Sequence, residues 1–434
     1  MKTPDAAISL TALSRASASR DPPGQRQEVA MTVTLNPSSM PWRRANEAVS
    51  RRFITCDDPD RRDLLCGGGA LAMSLLLAGL LGGSRPARAQ ALAGPVPELD
   101  KVTVRIVTDS YQFAVAPKTR KAESLLIEHF GWGISPDRPP GPTMVSEFGL
   151  SMHVTSQRGE ETRRTLMDFG FTPQALNNNL ALLEMRPSDL DALVLSHGHY
   201  DHFGGLAGFL AANKGKLKSK LPLYVGGEDC FCAREWTAPP VKGDFGAIDR
   251  KGLEEARLTV TSTERPSLVA GHGFTSGQIG QRSFEKILSP SAMRIGVRDG
   301  VGCDPQSFAK ADPQQGPVPD QFQHEIATAF NVKGRGLVVL TSCSHRGVVN
   351  AVRQAQAVSG VKKVHAVIGG FHLAPYQPEY LRETLAALKE IGPDHIVPLH
   401  CSGEAFYEMA KAEMPTKLVR AYTGTRLTFS AAAT

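Results

Sequence analysis

The stretch Leu195-Ser196-His197-Gly198-His199-Tyr200-Asp201-His202-Phe203-Gly204-Gly205-Leu206 decides how this chain is read. It follows Leu190–Leu195, a short, almost wholly apolar run of the kind that forms a buried strand. Past it, Gly204–Asn213 reads as a helix, so the histidines sit on a strand-to-helix loop, where a rigid scaffold commonly presents active groups. One residue separates His197 from His199, which in extended backbone puts both side chains on one side; Asp201 and His202 follow at once. Four imidazole and carboxylate groups within six residues are costly to gather without a cation. Neutral imidazole and carboxylate oxygen are ligands for zinc, iron or manganese.

Outward from this loop the pattern is strands interleaved with helices. Strands are expected at Val102–Val107, up to Met167, and at Leu221–Val225, Leu258–Thr263, Ile326–Val332, Leu337–Thr341, Val364–Ile368 and Ile396–Leu399. Helices are expected at Pro173–Met185, Gly347–Val358, Glu379–Ile391 and Glu404–Glu413, with a hairpin turn at Lys333–Gly336. The segment 228–323 is rich in Gly, Pro and Gln with little period, and reads as an irregular insertion or cap within a domain at about 100–430.

Further motifs stand where strands end: Met167-Asp168-Phe169-Gly170, Thr341-Ser342-Cys343-Ser344-His345-Arg346-Gly347, Gly369-Gly370-Phe371-His372-Leu373 and Pro398-Leu399-His400-Cys401-Ser402-Gly403. Together with His-x-His-x-Asp-His these resemble the metallo-β-lactamase-fold superfamily. Within it they are similar to the branch of 7,8-dihydropterin-6-methyl-4-(β-D-ribofuranosyl)aminobenzene-5′-phosphate synthases, a likeness running from about Val102 to Leu427, and Glu147-Phe148-Gly149-Leu150-Ser151 also fits. The resemblance implies an α/β fold, an αββα sandwich of two mixed β-sheets flanked by helices.

It also implies a ligand set: His197 and His199 for a first metal, Asp201 and His202 for a second, His400 as the final ligand and Asp168 as a buttress. The superfamily's bridging Asp is missing here; Cys343 and His345 stand at that strand end. Either the Cys343 thiolate replaces that carboxylate, or His345 is the ligand and Cys343 packs; we expect His345. His372 is expected as a packed support or a substrate contact, and Arg346 as an anion contact. His272, in Ala270-Gly271-His272-Gly273, is expected to lie there by chance, and Cys230 and Cys232 to be ordinary thiols rather than a Cys-x-Cys site.

The chemistry so implied is metal-assisted hydrolysis of a small, anionic phosphoryl or acyl substrate, with two divalent metal ions, zinc first and iron or manganese as alternatives, and with Asp201 and His202 catalytic. Iron-dependent redox or dioxygenase chemistry on the same fold, and a non-catalytic ligand-binding protein that keeps the metal site, are the alternatives. No Gly-x-Ser-x-Gly elbow supplies a serine nucleophile.

Composition sets the remaining bounds. With 41% hydrophobic and 21% charged residues the chain is not disordered as a whole. Residues 1–60 are rich in Ser, Arg, Pro and Asp and read as a disordered leader. Residues 61–91 read as a signal peptide of twin-arginine type: Arg61-Arg62, an apolar run from Leu71 to Gly83, then the small-residue pattern Ala87-Arg88-Ala89-Gln90-Ala91. That run falls short of the roughly 20 residues a membrane span needs, so the expected destination is the periplasm, through the twin-arginine export machinery. Residues 1–89 carry 12 Lys plus Arg and 8 Asp plus Glu, so most of the net +6 belongs to the leader and gives no footprint for nucleic acid.

Overall fold

The computed structural model describes residues 91–113, 118–131, 141–239, 243–308 and 316–433. The leader at 1–60 and, apart from Ala91, the expected signal peptide lie outside the described residues.

Two mixed sheets form the frame. The larger runs, edge to edge, Thr259–Ser262, Pro222–Val225, Ala192–Val194, Glu161–Met167, Ser151–Arg158, Lys101–Thr108, Arg426–Ser430, Leu125–Glu128 and Thr119–Ala122. The smaller runs Leu268–Val269, Gly273–Thr275, Thr328–Val332, Gly336–Leu340, Val364–Gly370 and His395–Leu399, with Glu98–Leu99 pairing alongside Thr328–Val332. The last three strands of the smaller sheet are parallel neighbours, so their C-terminal ends lie side by side.

Alternation along each strand sorts side chains into layers. Val338, Leu340 and Ile368 share a core with Val104, Ile106, Met152, Val154 and Val194 of the other sheet. Leu337, Val339 and Val367 face the opposite way and pack on the helices Val348–Ser359, Pro378–Ile391 and Glu404–Glu413 through Val352, Leu385 and Phe406. On the far side, Leu166, Leu193 and Leu223 pack on the helices Pro173–Leu182 and Leu206–Ala212 through Leu176, Leu180 and Phe209. The outcome is helix, sheet, sheet, helix. Each fully buried Leu, Val or Phe contributes on the order of 1.5–3 kcal/mol, which outweighs the weak propensity of any single strand.

The expected strands and helices at the motif-bearing ends form to within a few residues, and the turn at Lys333–Gly336 joins antiparallel strands, with Gly334 at φ 68°. The segment 228–323 is more ordered than its composition predicts. Thr259–Ser262 enters the larger sheet and Leu268–Val269 and Gly273–Thr275 the smaller one. Ala233–Trp236, Gly243–Gly246 and Ser291–Arg294, with Val318–Pro319 beyond them, form a separate four-stranded antiparallel sheet. The expectation for the Cys-x-Cys pair is corrected at Cys232, which forms a disulfide with Cys303 across a separation of 71 residues; Cys230 is a free buried thiol. Among the described residues no helix is long and apolar enough to cross a membrane.

Candidate metal centre

The His-x-His-x-Asp-His loop begins where Ala192–Val194 leaves the larger sheet, and the short helix Tyr200–Phe203 carries Asp201 and His202. Close approach explains the two glycines that follow. A Cβ on Gly205 would lie 2.1 Å from Phe169 O, so only glycine lets this chain pass against the Asp168 loop. Opposite, the parallel strand ends of the smaller sheet deliver Cys343 and His345, then His372, then His400 and Cys401. Gly370 sits where a Cβ would meet Ser342 O at 2.1 Å, which allows two of these strand ends to close on each other.

The fold thereby gathers residues more than a hundred positions apart. His197, His199 and His345 bring one ring nitrogen each to within 4.8 Å of one another, and Asp201, His202, Cys343 and His400 do the same with their donor atoms. His345 Nε2 is 3.2 Å from His197 Nε2, Cys343 Sγ is 3.2 Å from His202 Nε2, and His400 Nε2 is 3.1 Å from Asp201 Oδ2. The sequence posed Cys343 and His345 as alternatives; the fold puts His345 in one cluster and Cys343 in the other. His372 joins Cys343 and Cys401 in a third group.

Asp168 stands beneath the clusters, fully buried and at φ 58°, a conformation with a real cost outside glycine. Its carboxylate accepts from Ser196 N and Ser196 Oγ, both at 2.8 Å, from His202 Nδ1 at 2.9 Å, and from Ser342 Oγ. With Nδ1 engaged as a donor, His202 presents Nε2 to Asp201 and Cys343.

Electrostatics fit a cation. Burial, reinforced by neighbouring imidazoles, pushes His197 and His345 well below the usual histidine range; burial takes His199 down to about 3. These are neutral nitrogens with lone pairs. Burial also opposes charge on His202, but Asp201 and Asp168 overcome it and carry His202 up to about 10, while His202 and His400 hold Asp201 well below its usual value. The carboxylates thus draw a positive charge into a buried space lined with nitrogen and sulfur donors. Imidazole, carboxylate and cysteine sulfur in this arrangement are donors that could hold a metal ion.

Arg346 Nε donates to Ile279 O and its Nη1 to Gln321 O at 2.6 Å, so that part of the guanidinium braces main chain. His272 lies with Ser156 and Glu161, in none of these donor groups.

Several supports were not legible in the sequence. Glu325 accepts from the backbone N–H of His345 and Arg346, both at 2.7 Å. Arg234, fully buried, pairs with Asp320 at 2.6 Å beneath the metal loop. His324 Nε2 accepts from Gly198 N at 3.0 Å, which places its proton on Nδ1, facing Asp229 Oδ2 at 2.8 Å. Ser291, on the separate small sheet, lies 3.1 Å from His199 Nε2. Aromatic rings wall the site: Phe322 stacks on His345 at 4.0 Å, Phe245 lies 5.4 Å from His199, and Phe148, 58% exposed, covers His400 at 4.5 Å. The only signal of Phe245 and Phe322 was an apolar residue in an otherwise polar loop, whereas Phe148 stood in the Glu147–Ser151 stretch.

Residues 158–280 match the model of the metallo-β-lactamase superfamily. The chain is 28% identical over 286 residues to a 7,8-dihydropterin-6-methyl-4-(β-D-ribofuranosyl)-aminobenzene-5′-phosphate synthase of Methanocaldococcus jannaschii, covering 65% of this chain and 90% of that one. It is 25% identical to an uncharacterized protein of the same organism, over 60% of this chain and 87% of the relative. Among solved structures it is similar to Tm1679, a metal-dependent hydrolase of the β-lactamase superfamily, with a TM-score of 0.53 and 21% identity over 76% of this chain and 99% of that one.

Proposed function

Because this chain is a metallo-β-lactamase-fold protein, we propose that it is a metal-dependent hydrolase of small anionic molecules. Divalent cations, when bound, lower the pKa of water and stabilise negative charge developing on a phosphoryl or acyl oxygen. The observation that carries the reading is the pair of donor clusters, His197/His199/His345 and Asp201/His202/Cys343/His400, side by side at the strand ends.

The chain's own groups divide the remaining work. His197, His199 and His345 offer neutral nitrogen; Asp201 brings negative charge; Asp168 fixes the ring of His202. Asp201, between His202 and His400, is placed to take and orient a proton during turnover, with His202 as its partner. Phe148, Phe245 and Phe322 keep bulk water from the reacting centre and offer apolar walls to a substrate body. An anionic substrate is supported by the Methanocaldococcus relative, whose name places a 5′-phosphate in its product. Zinc is the cation we expect.

We also infer that residues 61–91 direct export to the periplasm. The Cys232–Cys303 disulfide supports this, since such bonds persist in oxidising compartments.

The test is a panel of phosphodiester, thioester and lactone substrates, run on protein reconstituted with zinc, iron or manganese. Turnover by the reconstituted wild type that disappears in His199→Ala is the expected result; equal turnover in that variant defeats the proposal.

A further inference from the structure

The strand ends carry more donors than two clusters use. Cys343, His372 and Cys401 each bring one ligand atom to within 4.8 Å of the others, and Cys343 belongs also to the Asp201/His202/His400 group. The two sulfurs are 3.4 Å apart, and both thiols are buried and free. His372, on the strand end between them, is held at φ 47°, and its Nδ1 is buried without a hydrogen-bond partner among the described residues. A residue that tolerates a left-handed backbone beside two thiols, with a ring nitrogen unsatisfied, is strained for a purpose that packing does not supply.

We propose that Cys343, His372 and Cys401 form a third metal position for a thiophilic divalent cation of the zinc class, contiguous with the first two clusters and joined to them by Cys343 as a bridging thiolate. On binding, each thiol loses its proton to solvent as a sulfur–metal bond forms, and neither sulfur is oxidised. Two sulfurs and one imidazole leave the fourth tetrahedral position for water or substrate. The inference goes beyond the proposed hydrolase reaction and does not require it.

The test uses the chelator-treated full-length chain, with its Cys232–Cys303 disulfide intact, titrated with Co²⁺. Bound cobalt is counted by native mass spectrometry, and thiolate coordination is read from the thiolate-to-cobalt charge-transfer band. The wild type is expected to take up three ions. Cys401→Ser and His372→Ala are each expected to take up two, and Cys401→Ser to lose about two-thirds of the band, because two of the three sulfur–cobalt bonds are gone with the third ion. Near-ultraviolet circular dichroism of the variants confirms that they fold. Two ions in the wild type, with a band unchanged by Cys401→Ser, overturns the third position and leaves the two-cluster reading standing. A His197→Ala/His199→Ala chain whose band falls on adding Cys401→Ser supports the third position independently of the histidine cluster, and one whose band Cys401→Ser leaves unchanged overturns it. Absence of any band overturns the third position outright.

Discussion

His345 Nε2 faces His197 Nε2 at 3.2 Å, two buried imidazole nitrogens contributed by opposite sheets of the sandwich. Burial keeps these rings and His199 neutral in the folded chain. The unfolded chain protonates all three below its ordinary value of 6.5, so stability of the metal-free protein falls as pH drops from there towards the folded value of about 3 for His199. Each such group contributes a slope of about 1.4 kcal/mol per pH unit. His202 has the opposite sign: raised to about 10, its contribution is complete below 6.5 and is lost as pH rises through 10. Denaturant melts of chelator-treated protein across pH should show both limbs. Zinc should remove the alkaline one, because the cation replaces the proton on His202.

Asp168 ties three side chains of the centre together. Asp168→Asn keeps its volume but removes an acceptor and its charge, which releases the ring of His202. Metal affinity should fall by about 10–100-fold. Competition with a zinc-sensitive dye measures this; affinity within a factor of two of wild type would show that the buttress is idle.

His400 Nδ1 and Asp109 Oδ1 are both buried, both lack a hydrogen-bond partner among the described residues, and stand 4.0 Å apart. Burial raises Asp109 to about 6. A small shift of His400 on taking up a cation would join the two. Asp109→Leu should therefore weaken the Asp201/His202/His400 position by about 10-fold or more while sparing His197/His199/His345. Stepwise zinc titration separates the two positions, and equal weakening of both would argue for a general packing defect.

The Cys232–Cys303 bond anchors the small sheet that carries Ser291 to His199. Cys303→Ser should cost about 2–4 kcal/mol in unfolding free energy, and the wild type in strong reductant should melt like the variant. If residues 61–91 direct export, mature protein recovered from the periplasm begins near Gln90 or Leu92; an intact N-terminus in the cytoplasm alone would refute export.

The sequence made one side of the centre plain because its ligands are adjacent. His197, His199, Asp201 and His202 need no tertiary contact to be seen as a group. The partners from the smaller sheet were visible as motifs at strand ends, but their division was not. Whether Cys343 or His345 faces the loop depends on how the chain turns after Leu340, where Ser344 adopts φ 62°. The strand Ser151–Arg158 carries no clear period in the sequence, because Ser-Met-His-Val-Thr-Ser-Gln-Arg mixes polar and apolar residues on faces that are both largely buried. The Arg234–Asp320–Asp229–His324 network was hidden for another reason. Its members come from an irregular segment, and only the fold shows that they meet beneath Gly198.

The central claim is that His197, His199 and His345 hold a cation. Calorimetric titration of zinc into chelator-treated full-length protein tests it most directly, wild type against His199→Ala. The account predicts that the variant loses one tight equivalent of zinc; uptake with unchanged stoichiometry and affinity would contradict it.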